Sequence, residues 1–524
     1  MWVKHFRLNS DKEVIVRIVK EVLNLFKIKV GPPIDSFNGK PLPDDDIVYD
    51  YQHLSIENEI DEESPVPKVR SVVKVWGPPE ETEALETSAK VFSWEAEGHN
   101  LEVYRAGVHR LIKLNLYHIF RENFGFPEAP WGIMHGVRPT KIVHRMLADG
   151  LNRDEVVARL KSEYEVSDVK ATTITDMALR QQPFLAKGDK RTVSVYVGIP
   201  FCLSRCLYCS FPANVLPRKP EGIEKFMVAL RKDMAAVVEE IKHYDLKVQC
   251  IYVGGGTPTS LPDDYFSEMI GLVDKYFHTA DTIEFTVEAG RPDSMSPAKI
   301  EAMVKAGVTR VSVNPQSMQQ KTLKRIGRNH TTESIITMYN DLREAGIPEI
   351  NMDVIIGLPG ETVADVADTI DRLLELAPDD LTIHSLALKK GSRLKMNLEE
   401  YELPSDEECR AMFDTAMEKV TKAGLLPYYL YRQGYMSGQL ENVGCARDGA
   451  ESMYNIQIME EQQTILGIGG AATSKVVEYK EHRLKSAFNA KDLITYQRDI
   501  DIYIEKRRAL LEETYGKPEA ASFD

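Results

Sequence analysis

Two rhythms of apolar and polar positions divide this chain. In the first part the apolar residues fall at helical spacing: Val14, Ile15, Ile18, Val22, Leu23 and Phe26 predict a helix within 11–29. A stretch rich in Pro, Asp and Glu follows over 31–69 and reads as a long surface loop or an edge hairpin. β-like runs at 71–76 and 90–106 come next, then four helical segments across 109–185, one of them starting after Pro139. The Gly-punctuated segment WGIMHGVRPTK, with Trp131, His135, Arg138 and Lys141, reads as a packed or capped connection rather than a ligand site.

From about Arg191 the rhythm changes. Short β-branched runs at 192–199, 248–253, 282–288, 308–313, 350–356 and 381–387 alternate with amphipathic helices at 223–244, 262–277, 297–306, 332–345 and 363–376. Six βα units in a row imply a parallel sheet. About 200 residues for six units suit a partial (β/α)6 barrel better than an eight-unit one. Periodicity alone also accommodates a doubly wound open sheet. After Leu388 the repetition ends in a helix at 406–424, the aromatic run Tyr428, Tyr429, Tyr431 and Tyr435, a Gly-rich strand region at 465–474 and a charged helical tail. The expected division is an N-terminal α+β domain (1–188), the barrel (189–395) and a C-terminal mixed α/β region that covers the substrate (396–524).

Composition narrows the picture. The chain has 524 residues and a net charge of −15 from 65 Lys plus Arg and 80 Asp plus Glu. That balance argues against broad binding to nucleic acid or anionic membranes. No apolar run approaches the roughly 18 residues of a membrane span. The N-terminus lacks the apolar core and cleavage site of a secretory signal, so the expected compartment is the cytoplasm. Six cysteines are far too few for a disulfide framework.

Three of those cysteines lie in YVGIPFCLSRCLYCSF, spaced C-x3-C-x2-C at Cys202, Cys206 and Cys209. Structural zinc wants four ligands, and no fourth Cys or His is near. A redox C-x-x-C would leave Cys202 idle. Three thiolates in one short loop suit a four-iron four-sulfur cluster with one iron open for chemistry. Cys250, Cys409 and Cys445 stand alone and read as packing.

C-x3-C-x2-C with Tyr208 before the last Cys resembles the radical S-adenosylmethionine (SAM) superfamily. That resemblance implies that SAM chelates the open iron and that its reductive cleavage gives methionine and a 5′-deoxyadenosyl radical. YVGIPFC through GGGTPT resembles the oxygen-independent coproporphyrinogen III dehydrogenase family. PYYLYRQ, ENVG and YNIQIMEE resemble its HemZ-type branch, which also carries an N-terminal WGI segment. The resemblance spans about 191–475. It implies oxidative decarboxylation of porphyrinogen propionates to vinyl groups, a small-molecule porphyrinogen substrate, and a one-electron reductant of the flavodoxin or ferredoxin type.

Candidate polar groups recur at the ends of successive strands, the face on which parallel barrels place reactive groups. The glycine run Gly254–Gly256 can bring backbone close to a ligand. Glu288 can accept from a ribose or an ammonium, or be simply solvated. Gln316 ends the fourth strand. Arg328 can pair a carboxylate or lie on the surface. Asp353, inside an apolar strand, needs a partner: the cluster's ligands or a salt bridge to a helix. The family resemblance assigns SAM contacts to Tyr196, Tyr208, Gly255, Gly256, Thr257, Glu288, Gln316, Arg328, Asp353, Ala387 and Thr473. Arg432 is a candidate for the substrate carboxylates, or a stacked or solvated Arg.

The chain departs from the biosynthetic dehydrogenases at Phe211, where they have a further Cys, and at Gly198, where they have His. It has SMYNIQ where haem-chaperone relatives carry HNxxYW. A haem- or porphyrin-binding chaperone and a radical SAM enzyme for another substrate are the alternatives.

Overall fold

A computed structural model describes residues 1–31, 47–77, 89–99, 102–136, 138–185, 189–211, 214–389, 391–433, 440–478 and 483–516. The chain divides into two compact units, Met1–Asp176 and Met177–Asp524.

The first unit holds β1 (Trp2–Leu8), α1 (Glu13–Leu25), β2 (Lys29–Val30), β3 (Tyr51–Ile60), β4 (Lys68–Trp76), β5 (Lys90–Glu97) and α2 (Tyr104–Phe124), followed by α3 (Thr140–Ala148), α4 (Arg153–Tyr164) and the start of α5 (Asp168–Gln181). Its strands form one sheet in the order β2-β1-β3-β4-β5. One face of that sheet (Val3, Leu54, Ile56, Val69, Val73) packs on the apolar faces of α1 and α2.

Three expectations change here. The acidic stretch before residue 69 contains β3, which lies inside the sheet rather than at its edge. Its Glu57 and Glu59 alternate with buried Leu54 and Ile56 and pair across the sheet with Lys74 and Arg70, so acidic composition hides a two-residue period. Residues 32–46 of that stretch lie outside the described residues. The run at 90–106 is a strand only to Glu97. Gly98 and Gly107 pack so close to Pro67 and Glu102 that an added Cβ would meet side-chain atoms at 2.8 and 2.4 Å, and α2 already begins at Tyr104. Strand β1, absent from the sequence reading, precedes α1.

The segment WGIMHG is a packed turn. Trp131, Ile133 and Met134 are buried. Gly132 has φ +50°, and a Cβ there would lie 2.0 Å from the Tyr164 carbonyl oxygen, so only glycine fits.

In the second unit the parallel strands are β6 (Thr192–Ile199), β9 (Lys247–Gly255), β10 (Glu284–Gly290), β11 (Arg310–Gln316), β12 (Glu349–Ile356) and β13 (Asp380–Ser385), with the short pair β7 (Phe201–Cys202) and β8 (Asn214–Val215) after β6. Helices α6 (Pro220–His243), α7 (Asp263–Phe277), α8 (Pro297–Lys305), α9 (Gln320–Arg325), α10 (Thr332–Glu344) and α11 (Val363–Glu375) fill the crossovers. Spatial order follows chain order without reversal, β6-β9-β10-β11-β12-β13. With the uniform handedness of βαβ units this places the helices on one face, as in a partial barrel; a doubly wound sheet would reverse its order midway. Helix starts are written locally. Thr331 and Ser334 form a capping box on α10, as do Thr362 and Asp365 on α11. Helix α9, missed in sequence, is only six residues long.

The remaining elements are α12 (Arg393–Met396), α13 (Asp406–Lys422), β14 (Leu426–Tyr431), β15 (Asn442–Ala446), α14 (Met453–Glu460), β16 (Thr464–Gly469), β17 (Thr473–Glu478), β18 (Arg483–Phe488), α15 (Leu493–Arg498) and α16 (Ile500–Tyr515). They enter the same sheet from both sides. β15 pairs antiparallel with β13, and β16 pairs parallel with β6, giving eleven strands. Cys250, Cys409 and Cys445 are fully buried packing residues. Among the described residues no helix is long and apolar enough to cross a membrane.

Candidate active site

The cysteine loop follows the first barrel strand and is tied at several points. Phe201 and Cys202 pair with Asn214 and Val215. The Leu207 N–H donates to the Ile326 carbonyl and the Leu394 N–H to the Leu207 carbonyl, each at 2.9 Å. Arg291 Nη1 donates to Ser204 Oγ at 2.8 Å while its guanidinium pairs with Asp293. All three thiols are free and half-buried. They line a cavity of about 150 Å³ together with Tyr208, Gly256, Thr257, Arg291 and Arg328.

Among the described residues no three His, Cys, Asp or Glu side chains converge as they would on a single ion. Three thiols spread around one cavity suit a cluster in which each iron takes one thiolate. Burial raises the pKa of Cys202 and of Cys209; the other thiols push both further up, while Thr257 Oγ1 opposes this at Cys202, 3.5 Å from its Sγ. A bound cation reverses such a shift and deprotonates a coordinating thiol.

The end of β9 is built to stay close to this loop. Gly256 N–H donates to Ile199 O at 2.8 Å and Thr257 N–H to Phe201 O at 2.7 Å. Gly255 has φ +114°. A Cβ on Gly256 would lie 2.5 Å from Phe201 O and 3.1 Å from Cys202 Sγ. The glycines therefore let the end of β9 lie against the cysteine loop, with Gly256 at the cavity wall, where a side chain would strike the loop backbone.

Glu288 stands at the end of β10. It accepts from Tyr252 Oη at 2.6 Å and from the Gly255 N–H at 3.1 Å. Burial pushes its carboxyl up to about 7; those two hydrogen bonds oppose the shift and the Asp353 charge adds to it. Tyr196 stacks on Tyr252, and Tyr252 on Tyr454, at 6.1 and 4.5 Å between ring centroids.

Gln316 ends β11 with φ +67°, and its buried Oε1 has no hydrogen-bond partner. A non-glycine residue in that conformation with an orphaned acceptor is a strained, unsatisfied position of the kind that ligands complete. Arg328 is buried as well. It donates to the Asn314 carbonyl and, at 3.4 Å, to Tyr208 Oη, while its Nε has no partner. It is thus an interior residue beside the cysteines, not a surface Arg.

Asp353 accepts from Asn351 Nδ2 at 2.8 Å and lies 3.6 Å from His384 Nε2. Its partner is a strand histidine, neither a helix nor a thiol. His384 Nδ1 lies 3.3 Å from Asn442 Oδ1 and 3.4 Å from Tyr431 Oη. Although burial lowers the His384 pKa, Asp353 and Asn442 more than restore it. Ala387 follows β13, and Leu386 N–H donates to Ile356 O at 2.9 Å. Thr473 opens β17; its backbone abuts Gly467, the register partner of Tyr196. Arg432 follows Tyr431 at the β14 end, half-buried beside Glu441.

Thus the ends of β6, β9, β10, β11 and the cysteine loop form one contiguous wall. Asp353 joins it electrostatically through Glu288. Thr473 opens β17 and Arg432 follows β14, at opposite ends of the strand order. The sequence reading missed Tyr252, Arg291 and His384. Each sits in step with a residue it did single out: Tyr252 opposite Tyr196, Arg291 three beyond Glu288, His384 one strand from Asp353.

The radical SAM superfamily profile matches residues 196–373. The chain is 39% identical over 391 residues to the oxygen-independent coproporphyrinogen-III oxidase-like protein HemZ of Bacillus subtilis, covering 74% of this chain and 78% of that protein. It is 29% identical over 282 residues to the heme chaperone HemW of the same organism, covering 53% and 70%. Among solved structures, coproporphyrinogen III oxidase (HemN) of Escherichia coli superposes with a TM-score of 0.50 at 22% identity, covering 65% of this chain and 82% of that one. The fold, the C-x3-C-x2-C loop on its first barrel strand and these likenesses agree: the chain belongs to the radical SAM superfamily and, within it, to the HemZ-like family of coproporphyrinogen oxidase-like proteins.

Proposed function

We propose that this chain is a radical SAM oxidoreductase of porphyrin metabolism, acting on the propionates of coproporphyrinogen III. In this reading Cys202, Cys206 and Cys209 hold a four-iron four-sulfur cluster. Gly255, Gly256 and Thr257 line the methionyl part of SAM; Glu288, Gln316, Arg328 and Asp353 take its remaining polar groups, with Tyr196, Tyr208, Ala387 and Thr473 at its borders. The bound cluster and SAM supply one-electron cleavage of SAM and, with it, hydrogen-atom abstraction. A propionate that loses a β-hydrogen atom, carbon dioxide and one further electron becomes a vinyl group.

The protein's share is to bind, orient and exclude water. Glu288, held by Tyr252 and Gly255, keeps a carboxylate in fixed orientation. Arg328, held by Asn314 and Tyr208, keeps a cation facing the thiols. The single observation that carries the reading is the cavity itself: three free thiols share its wall with Gly256, Thr257, Tyr208 and Arg328.

The test is to reconstitute the cluster anaerobically and add SAM, reductant and coproporphyrinogen III. The expected products are methionine, 5′-deoxyadenosine and a porphyrinogen that has lost two carboxyl groups together with one β-hydrogen for each. SAM left intact by a fully loaded protein overturns the cofactor reading. SAM cleavage with the porphyrinogen unchanged overturns only the substrate. A second reading, a haem-binding chaperone, is favoured by the likeness to HemW; stoichiometric haem binding without decarboxylation would establish it.

A further inference from the structure

Although the chain carries a net charge of −15, its charge is not evenly spread. Residues 200–219 contain three Lys and Arg, 319–330 four and 387–398 four, and none of the three segments contains an Asp or Glu. Far apart in sequence, they are woven together around the thiols. Leu207 N–H donates to Ile326 O and Leu394 N–H to Leu207 O. Arg205 Nη2 donates to Gly391 O at 3.0 Å, and Arg393 Nη2 returns a bond to Arg205 O.

Some of these cations are used internally. Arg328 is buried, Lys321 pairs with Asp365, and Arg325 donates to Pro359 O. Arg205, Lys324, Lys389 and Arg393 are exposed and have no acidic partner among the described residues. The same segments carry exposed apolar side chains, Leu203, Phe211, Val215 and Met396. A groove of about 540 Å³ shares Val215 with the thiol cavity; Leu203, Leu216, Pro217 and Arg218 form its near wall, and Pro262 and Tyr265, beside the exposed Asp263 and Asp264, form its far wall.

We propose that this acid-free rim is the docking face for an acidic one-electron carrier protein, with Leu203, Phe211, Val215 and Met396 as its apolar contacts. The proposal rests on the cluster reading above and adds where the electron enters. One electron passes from the carrier to the cluster held by the three cysteines; the carrier is oxidised by one electron, the cluster reduced by one, and no atom moves. The charge pattern suits electron delivery, because opposite charges steer encounter and fix register without requiring a long-lived complex. Exposed apolar side chains on the same segments as the cations favour a protein over a small anion or a nucleic acid, which phosphate contacts alone would satisfy. Such electron-transfer contacts are small, roughly below 1,200 Å² of buried surface.

The test uses the reconstituted holoprotein, a purified bacterial flavodoxin and the double variant K324E/K389E, whose side chains lie outside the thiol cavity. Flavodoxin binding is measured by titration calorimetry at several salt concentrations, and SAM cleavage with flavodoxin or with dithionite as reductant. The expected result is Kd raised by about tenfold or more in the variant, weaker wild-type binding at high salt, and flavodoxin-driven cleavage lost in step while dithionite-driven cleavage is kept. Equal flavodoxin affinity in variant and wild type overturns the proposal. So does wild-type binding of a single-stranded oligonucleotide as tight as that of flavodoxin, which would make the rim a general anion surface. Wild type that fails to cleave SAM even with dithionite refutes the cluster reading instead, while the binding titration still decides the rim.

Discussion

Tyr252 donates its phenolic hydrogen bond to Glu288 at 2.6 Å, joining neighbouring barrel strands at the end where Gly255 approaches the cysteine loop. The carboxylate is thereby fixed in orientation, yet burial holds its pKa up to about 7. Below that pH it is protonated and, in the role proposed for it toward the ribose or ammonium of SAM, would be a poorer acceptor. SAM affinity should therefore rise with pH through about 7 and then level. In Glu288→Gln the pH dependence should vanish and affinity fall by about 2 kcal/mol, both read by equilibrium binding to the loaded protein. The stability consequence has the opposite sign. The folded carboxyl holds a proton where the unfolded one, near 4.5, has lost it, so this group makes folding less favourable as pH rises from 4.5 to 7. Chemical denaturation of the glutamine variant should lack that component.

The six cysteines should separate cleanly. Replacing Cys202, Cys206 or Cys209 by Ala should abolish iron and sulfide retention after anaerobic reconstitution. The same change at Cys250, Cys409 or Cys445 should leave iron content intact and cost about 1 kcal/mol of stability, because these thiols are buried and do not line the cysteine cavity. Iron bound at wild-type level by all three loop variants would refute the assignment.

Gly256→Ala places a methyl group 2.5 Å from Phe201 O and 3.1 Å from Cys202 Sγ. The backbone cannot yield without moving the cysteine. We expect weakened SAM binding and a changed electron paramagnetic resonance signal of the reduced cluster, with the far-ultraviolet spectrum unchanged.

Helix α16 is anchored by charge rather than by apolar area alone. Buried Arg507 pairs with Asp233 at 2.8 Å and with Glu240 at 2.7 Å. Asp233 in turn accepts from the Gly469 N–H and from Tyr496 Oη. Arg507→Leu leaves Asp233 with neutral donors only and Glu240 with only Arg508 at 3.8 Å, and should cost about 3–5 kcal/mol in denaturant unfolding. Adding Asp233→Asn and Glu240→Gln should recover part of that loss.

Much of this architecture was legible in the chain because parallel strands buried on both faces read as continuous β-branched runs, and their helices keep a 3.6-residue stripe. All six strand candidates, Thr192–Ile199 among them, are strands. The acidic strand Tyr51–Ile60 was not legible, because its period depends on cations in a neighbouring strand that composition does not reveal. The cysteine spacing identified the loop, since three thiolates need to be near one another in sequence to share one short turn. His384 carried no such mark. Its importance lies in standing one strand from Asp353, and register is a property of pairing.

What the sequence determined by itself was local: helix caps, strand periods, the thiol spacing, the glycines of a tight turn. Each depends on interactions within a few residues. Tertiary structure decided the rest. It made 464–469 a parallel strand beside Thr192–Ile199. It left Gln316 Oε1 unsatisfied at a strained turn. And it gathered three distant acid-free segments around the cysteines, because hydrogen-bond register and charge proximity are set by which surfaces meet on folding.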